Sequence, residues 1–594
     1  MTECLGRAPE RRTTGVLTVG GCGARQGMAP CEAPGRAEPS DGEGGHVLGE
    51  VVHLGSSPLM PAHRGSRLAL GRRALLVLVP LVLIVAGVGV ALFASRAGLA
   101  GERRGRPVAG RATPAAALTT APRAAAAAAV RSATAVENSR PGTSDWTLRD
   151  PSTALEMEGY AGQVSATRGA TVTLYATTTA PTWTATAYRL GWYGGRLARQ
   201  VWSSGPQPGV VQPAPTRSPM TNMVETAWRA SLEVTVGSDW VPGDYLLKLV
   251  SSTGRDSYVP LTVRDDASQA PILIINSVTT WQAYNLWGGY DLYAGPKGAS
   301  ERARVVSFDR PYRLGNGSGD FLGNEEKLVK LVEKDGMDVS YTTDVDLEAH
   351  PELLTRHRVI VSLGHDEYYS TAMRSALEAA RDHGVNLVFL GANAVYRHIR
   401  LEPSPLGPDR HEINYRVAAN DPDAGVDNAE VTVEWRSPPV SRPESSLLGE
   451  MYECNPVDAD LVVREPGAWP FAGTSLTAGE HLAHLVGSEY DHWSPAEGGP
   501  PVELMARSPV VCRGRASTSD LTYYVAPSGA GVIDTGTNQW VPRILDDPAI
   551  GATVAQITET VLREASAGPL GVAHPARVDV GTARTSTSPL PAGE

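Results

Sequence analysis

The chain has 594 residues with 64 acidic against 53 basic side chains, a net charge of −11, and that sign argues against a partner held through its phosphates, so no nucleic acid is expected. The length exceeds what one hydrophobic core organises, so more than one domain is expected. Of five cysteines, Cys4, Cys22 and Cys31 come early and Cys454 and Cys512 late; the late pair is the candidate disulfide.

In chain order, residues 1–73 carry Gly, Pro, Arg and Glu with little apolar periodicity, which predicts a disordered segment. The uncharged run Ala74–Ala94 is long enough to cross a bilayer and too long for a cleaved leader, which predicts one transmembrane helix over 74–94. Arg72 and Arg73 before it, and the large region after it, orient the amino terminus inward. The expected location is therefore the cell membrane, single-pass, with the carboxyl-terminal domains outside the cell. Residues 95–140, rich in Ala, Pro, Thr and Arg, read as a tether.

From 141 to 265 the pattern changes to short alternating strands, including TVTLYATTT (Thr171–Thr179), LEVTV (Leu232–Val236), YLLKLV (Tyr245–Val250) and SYVPLTV (Ser257–Val263). Turn residues separate them, and an antiparallel β-sandwich is expected. Beyond it, three apolar runs open abruptly into polar segments. Ile272–Ile275 leads into NSVTTWQAYN, Val359–Leu363 into GHDEYYS, and Val385–Leu390 into GANAVYRH. Helical signals lie between them: Asn324 as cap for Leu328, Val329, Leu331 and Val332 up to Gly336, and Ser370 as cap for Met373, Leu377 and Ala380 up to Gly384. This alternation predicts an α/β domain over 266–565 with a mostly parallel, flavodoxin-like sheet, followed by a disordered tail over 566–594.

Ligands of such sheets collect beyond the carboxyl ends of the strands. His365, Asp366 and Glu367 stand at one such end and Asn393 at another, which makes them the first candidate site residues. The plainer alternatives are carboxylates placed to favour a helix dipole, and, for Tyr284 and Tyr290, half-buried aromatics at a sheet edge. No cysteine stands at these strand ends, which argues against Cys-His chemistry.

The combination TTWQAYN, YTTDVD, GHDEYYS, LGAN and GTNQW (Gly536–Trp540) resembles the large-subunit family of N,N-dimethylformamidase over residues 141–565. The resemblance implies a catalytic domain like that of class I glutamine amidotransferases, and hydrolysis of an amide C–N bond. It also implies a mononuclear iron held by two tyrosines and a glutamate, with His and Asn handling water and substrate. Carried over by position, Glu367 is the glutamate ligand, Tyr284 one tyrosine, and Tyr245 in PGDYLLKL the second, with Tyr290, Tyr368 and Tyr369 as competitors. His365 becomes the base or hydrogen-bond partner of the water, Asn393 the group that orients the substrate carbonyl, and Asp366 the residue that holds His365 in one tautomer. A further family glutamate falls on Glu489 or Glu503.

Phenolate and carboxylate are hard donors suited to Fe(III), the expected cofactor. The expected partner is a small amide substrate, with a homo-oligomer or a small subunit left open. Two rival readings stand beside this one: a non-catalytic cell-surface binding protein that keeps the fold, and a carbohydrate-active surface protein.

Overall fold

The computed structural model describes residues 131–577 apart from Ala154. In Thr171–Thr177 and in the first half of Thr182–Leu190, alternate residues are buried, as befits strands with one face on a core. Glu158–Ala161, Thr171–Thr177 and Leu232–Thr235 form one sheet. Ser165–Thr167, Asp256–Arg264, Gly243–Ser251, Thr182–Leu190 and Ala198–Ser203 run in that order through a second. Val172, Leu174, Trp183, Leu247, Val259 and Leu261 from the two sheets share one core. The pairings are antiparallel except that Ser165–Thr167 runs parallel to Asp256–Arg264.

The next sheet has seven strands in the order Val339–Thr343, Ile272–Asn276, Val359–Gly364, Asn386–Gly391, Gly531–Asp534, Arg515–Val525, Glu503–Cys512. The first five are parallel and wholly buried along their length. Double-sided burial is what such unbroken apolar runs predict. The last two strands form an antiparallel hairpin on Gly531–Asp534. Its two-residue turn, Arg513-Gly514, has positive φ at both positions, the turn geometry that matches strand twist.

The expected mostly parallel, flavodoxin-like sheet is therefore corrected to a mixed one. A second mixed sheet, Val305–Ser307, Gly407–Ile413, Arg397–Ser404 and Tyr368–Ser370, stands beside it, with only its last pairing parallel. A long hairpin, Met451–Val462 with His481–His492, completes the β structure near the site. The Cys454–Cys512 disulfide ties this hairpin to the edge strand of the seven-stranded sheet.

Among the described residues long helices are few: Glu326–Lys334, Thr371–Asp382 and Gly551–Ala567. Ser370 caps Thr371–Asp382, its Oγ accepting from Met373 N at 3.2 Å. Asn324 does not cap the helix before it. It lies in a π-turn, Phe321–Glu325, and donates instead to Asp320 Oδ2.

The expected membrane helix and single-pass location are also corrected. Among the described residues no helix is long and apolar enough to cross a membrane, and the run 74–94 lies outside the described residues.

Candidate active site

Two parallel strand ends set the site. Gly364 and Gly391 stand opposite each other at the last register positions of Val359–Gly364 and Asn386–Gly391. Gly364 has φ +53°, and a Cβ on Gly391 would fall 1.9 Å from Gly364 O, so the two backbones approach as only glycines allow. His365, Asp366 and Glu367 leave one end, and Asn393 leaves the other in a left-handed conformation, φ +60°. A non-glycine residue held at positive φ is strain of the kind that clusters at functional sites.

Glu367 is the hub. Its side chain is 1 % exposed, and its backbone N–H donates to Thr280 Oγ1 at 2.9 Å. Tyr284 Oη lies 2.8 Å from Oε2, and Tyr293 Oη lies 2.8 and 2.7 Å from Oε1 and Oε2. The two phenol oxygens are 2.7 Å apart, and their rings stack with centroids 4.3 Å apart. Tyr368 Oη donates to Tyr293 Oη at 2.9 Å. Arg397 Nε stands 3.5 Å from Oε1.

His365 Nε2 lies between two carboxylates, 3.4 Å from Glu367 Oε2 and 3.0 Å from Glu489 Oε2. Neither contact is in line for a strong hydrogen bond. Glu489 is fixed by three amides: Asn393 and Asn538 each donate to Oε2 at 3.0 Å, and Asn455 donates to Oε1 at 2.8 Å. Asn538 comes from the GTNQW segment and Asn455 from the long hairpin, so distant parts of the chain meet on one carboxylate.

Burial pushes every group here toward neutrality, and the pairing decides which resist. Burial alone would raise Glu489, but the His365 charge and the amide donors more than offset it and hold it at about 2. The same contest lowers Glu367, with His365 and Arg397 outweighing burial and the Glu489 charge. Burial lowers His365, yet Glu489 and Glu367 carry it well above the usual imidazole range. Tyr284 and Tyr293 are raised well above 10, first by burial and then by the Glu367 charge.

The structure thus brings together Tyr284, Glu367, His365 and Asn393. Tyr245 is not among them. Its ring stacks on Trp240 at 4.9 Å in the sandwich core, and its hydroxyl donates to Val241 O at 2.6 Å. The second phenol on Glu367 is Tyr293, which the sequence reading did not name. An Asx turn aims it: Asp291 Oδ1 accepts from Tyr293 N at 2.8 Å and from Ala294 N at 2.6 Å. The Asp-Leu-Tyr order after Trp-Gly-Gly is the local signal that could have found it.

Asp366 makes no hydrogen bond to His365. It accepts from Ser362 Oγ at 2.8 Å and Tyr369 Oη at 2.5 Å, and burial raises it to about 6. Tyr290 lies under Arg217, 5.3 Å from the guanidinium to the ring centroid. Of the two candidate glutamates, Glu489 is at the site. Glu503 is on the edge strand, where it accepts from Arg577 N.

Carboxylates, stacked phenols, an imidazole and an orienting amide, gathered at the carboxyl ends of the parallel strands of a mixed sheet, form a polar site where parallel strands commonly bind ligands. A family model described as N,N-dimethylformamidase beta subunit-like, C-terminal, matches residues 184–549, and the chain belongs to that family. Membership points to a hydrolase acting on amides. A search of curated proteins found no match.

Proposed function

We propose that the protein hydrolyses the C–N bond of a small amide at the Tyr284–Tyr293–Glu367 centre, with Fe(III) held by those three side chains. What supports the metal is the donor set and its spacing. Three hard oxygens lie 2.7–2.8 Å from one another, close to the edge expected around an ion with metal–oxygen bonds of about 2.0 Å in octahedral geometry. When bound, the ion would supply Lewis acidity toward the amide carbonyl and a lower pKa for water.

The chain's own residues supply position and proton traffic. Asn393 Oδ1 is buried and makes no hydrogen bond within the protein, while its Nδ2 is anchored on Glu489. Its amide is therefore fixed in orientation and can order water or substrate on its free edge. As the water oxygen bonds to the carbonyl carbon, one water proton passes into the buried Glu489–His365 pair. His365 Nε2, between Glu489 and Glu367, donates a proton to the nitrogen as the C–N bond breaks. The products are a carboxylic acid and an amine.

The observation that carries this reading is the convergence of two phenols on the buried carboxylate of Glu367. Metal analysis and a visible absorption spectrum of the purified chain test it, with Tyr284→Phe alongside. Near-stoichiometric iron with a tyrosinate-to-iron charge-transfer band that the variant loses supports the centre. Protein that stays colourless and iron-free after reconstitution overturns it.

A further inference from the structure

Asn393 offers the centre a free amide edge from a backbone at φ +60°, a region that residues with a Cβ seldom adopt. The side chain of Asp491 is placed to hold it there. Asp491 Oδ1 accepts from Asn393 N at 2.7 Å, and Asp491 is fully buried. It stands two residues beyond Glu489 on the strand His481–His492. Residues two apart on a strand share a face, so this strand grips Asn393 twice, at the side chain through Glu489 and at the backbone through Asp491.

The GTNQW segment extends the grip. Thr537 N donates to Gly391 O at 2.8 Å, and Asn538 Oδ1 accepts from Ala392 N at 2.9 Å. Asp491 N in turn donates to Gly536 O at 3.1 Å. Residues 391, 392 and 393 are thus each held by a separate bond, and Asp491 supplies the last. Its other oxygen, Oδ2, is buried and makes no hydrogen bond. Burial raises this carboxyl to about 8, with the Glu444 and Glu489 charges adding to burial and the Asn393 N–H and Arg436 opposing it. Near neutral pH it is a neutral acid that still accepts from Asn393, and asparagine is its closest uncharged mimic.

We propose that Asp491 is a positioning residue for amide hydrolysis: by fixing the Asn393 backbone in its left-handed conformation, it aims the free amide edge of Asn393 at water or substrate. This rests on the amidase reading above, and it adds a residue that acts through Asn393 without touching the reacting atoms.

The test is a double-mutant cycle. kcat and KM for N,N-dimethylformamide are measured per mole of folded protein on the wild type, Asp491→Asn, Asp491→Ala, Asn393→Gly and Asn393→Gly/Asp491→Ala. Asp491→Ala should lower kcat by roughly tenfold or more, the cost of a misaimed group, whereas Asp491→Asn, which keeps the acceptor, should stay within about twofold of the wild type. In Asn393→Gly no side chain is left to aim and the backbone takes positive φ freely, so Asp491→Ala should cost little more on that background. A residue that only stabilises the fold would lower kcat by the same factor on both backgrounds. In parallel, the wild type and the Asp491 variants are labelled with 15N-asparagine, and the Asn393 backbone signal is identified by its absence from Asn393→Gly. It should lie far downfield and exchange slowly in the wild type and Asp491→Asn, and take an ordinary shift in Asp491→Ala.

Full kcat in Asp491→Ala, or equal losses on the two backgrounds, overturns the proposal and leaves the amidase reading standing. An ordinary shift for Asn393 in the wild type overturns it even where Asp491→Ala does not fold. The expected signals in a wild type that hydrolyses no amide support the Asp491 clamp on Asn393 and overturn the amidase reading.

Discussion

Tyr293 and Tyr245 separate the structural placement of the second tyrosine from the placement expected from sequence, and a pair of phenylalanine variants decides between them. Tyr293 Oη has four oxygen contacts within 2.9 Å, two to Glu367 and one each to Tyr284 and Tyr368. Tyr293→Phe keeps the ring stacked on Tyr284 at 4.3 Å and beneath Arg416, so packing survives and only the donor is lost. A hydrogen bond to an ionised group contributes roughly 1.5–3 kcal/mol. The Tyr293 hydroxyl also loses its own burial cost, so the metal-free variant should be destabilised by about 1–2 kcal/mol. On the proposed iron centre the larger effect is on the metal: one of its three anionic ligands would disappear, and iron content and the charge-transfer band should fall together. Tyr245→Phe removes a single bond to Val241 O, costing roughly 0.5–1.5 kcal/mol of stability and leaving iron and colour intact. Chemical denaturation and the absorption spectrum of both variants are the assays. A band that survives Tyr293→Phe and vanishes in Tyr245→Phe would refute the placement.

Three further outcomes follow from the fold. The Cys454–Cys512 bridge spans a sequence separation of 58, so Cys454→Ser/Cys512→Ser should lower stability by up to roughly 4 kcal/mol on the loop-entropy account, with denaturant titration as the check. Asp244 is fully buried in the sandwich, and burial raises it to about 7 despite Asn276, Arg189 and Thr262. A carboxyl whose folded pKa lies above its unfolded value stabilises most below about pH 4 and loses that contribution as pH rises through about 7, here by up to roughly 4 kcal/mol. Asp244→Asn should therefore flatten the fall in stability between those pH values, and an unchanged slope would reject the assignment. Gly391→Ala should disrupt the site through the 1.9 Å approach to Gly364 O, giving a lower melting temperature and lost iron binding, since the backbone cannot move aside as a flexible side chain can.

Local chemistry decided which parts of this molecule were legible in the sequence. The buried parallel strands were legible because an unbroken run such as Val359–Leu363 has few other uses, and His365, Glu367 and Asn393 were legible because strand ends are where such sheets do chemistry. The antiparallel hairpin was missed although its turn is written in Cys512-Arg513-Gly514-Arg515, because Arg-Gly lacks the Asn or Asp that usually announces a tight hairpin. Tyr293 was missed for a longer-range reason. Its ring reaches Glu367 only because an Asx turn at Asp291 folds the segment after Trp287–Gly289 back over Tyr284. Tyr245 misled because Gly243–Ser251 is buried on nearly every residue, so alternation could not say which face its phenol takes.

The sandwich that Tyr245 helps to build bears on the site in another way. Arg189, on Thr182–Leu190, grips Glu333 of the helix Glu326–Lys334 with two bonds of 2.7 and 2.9 Å, and both side chains are fully buried. Tyr341 Oη, from the edge of the seven-stranded sheet, joins the same carboxylate at 2.7 Å. A buried pair of this kind adds little net stability over apolar packing, but breaking it strands a charge, so it fixes one relative placement of the elements it joins. The helix it fixes continues from the π-turn Phe321–Glu325. Glu325 there accepts from Ser277 N, Asn276 Nδ2 and Trp281 Nε1, which secures the entry to the helix Val278–Ala283 and so the position of Tyr284 at its end. The sandwich is thus a brace for one phenol of the centre, acting through Glu333 and Glu325. Arg189→Met should loosen Tyr284, lowering iron affinity without touching a ligand, whereas a purely structural linker would lower the melting temperature and leave the affinity of the folded protein unchanged.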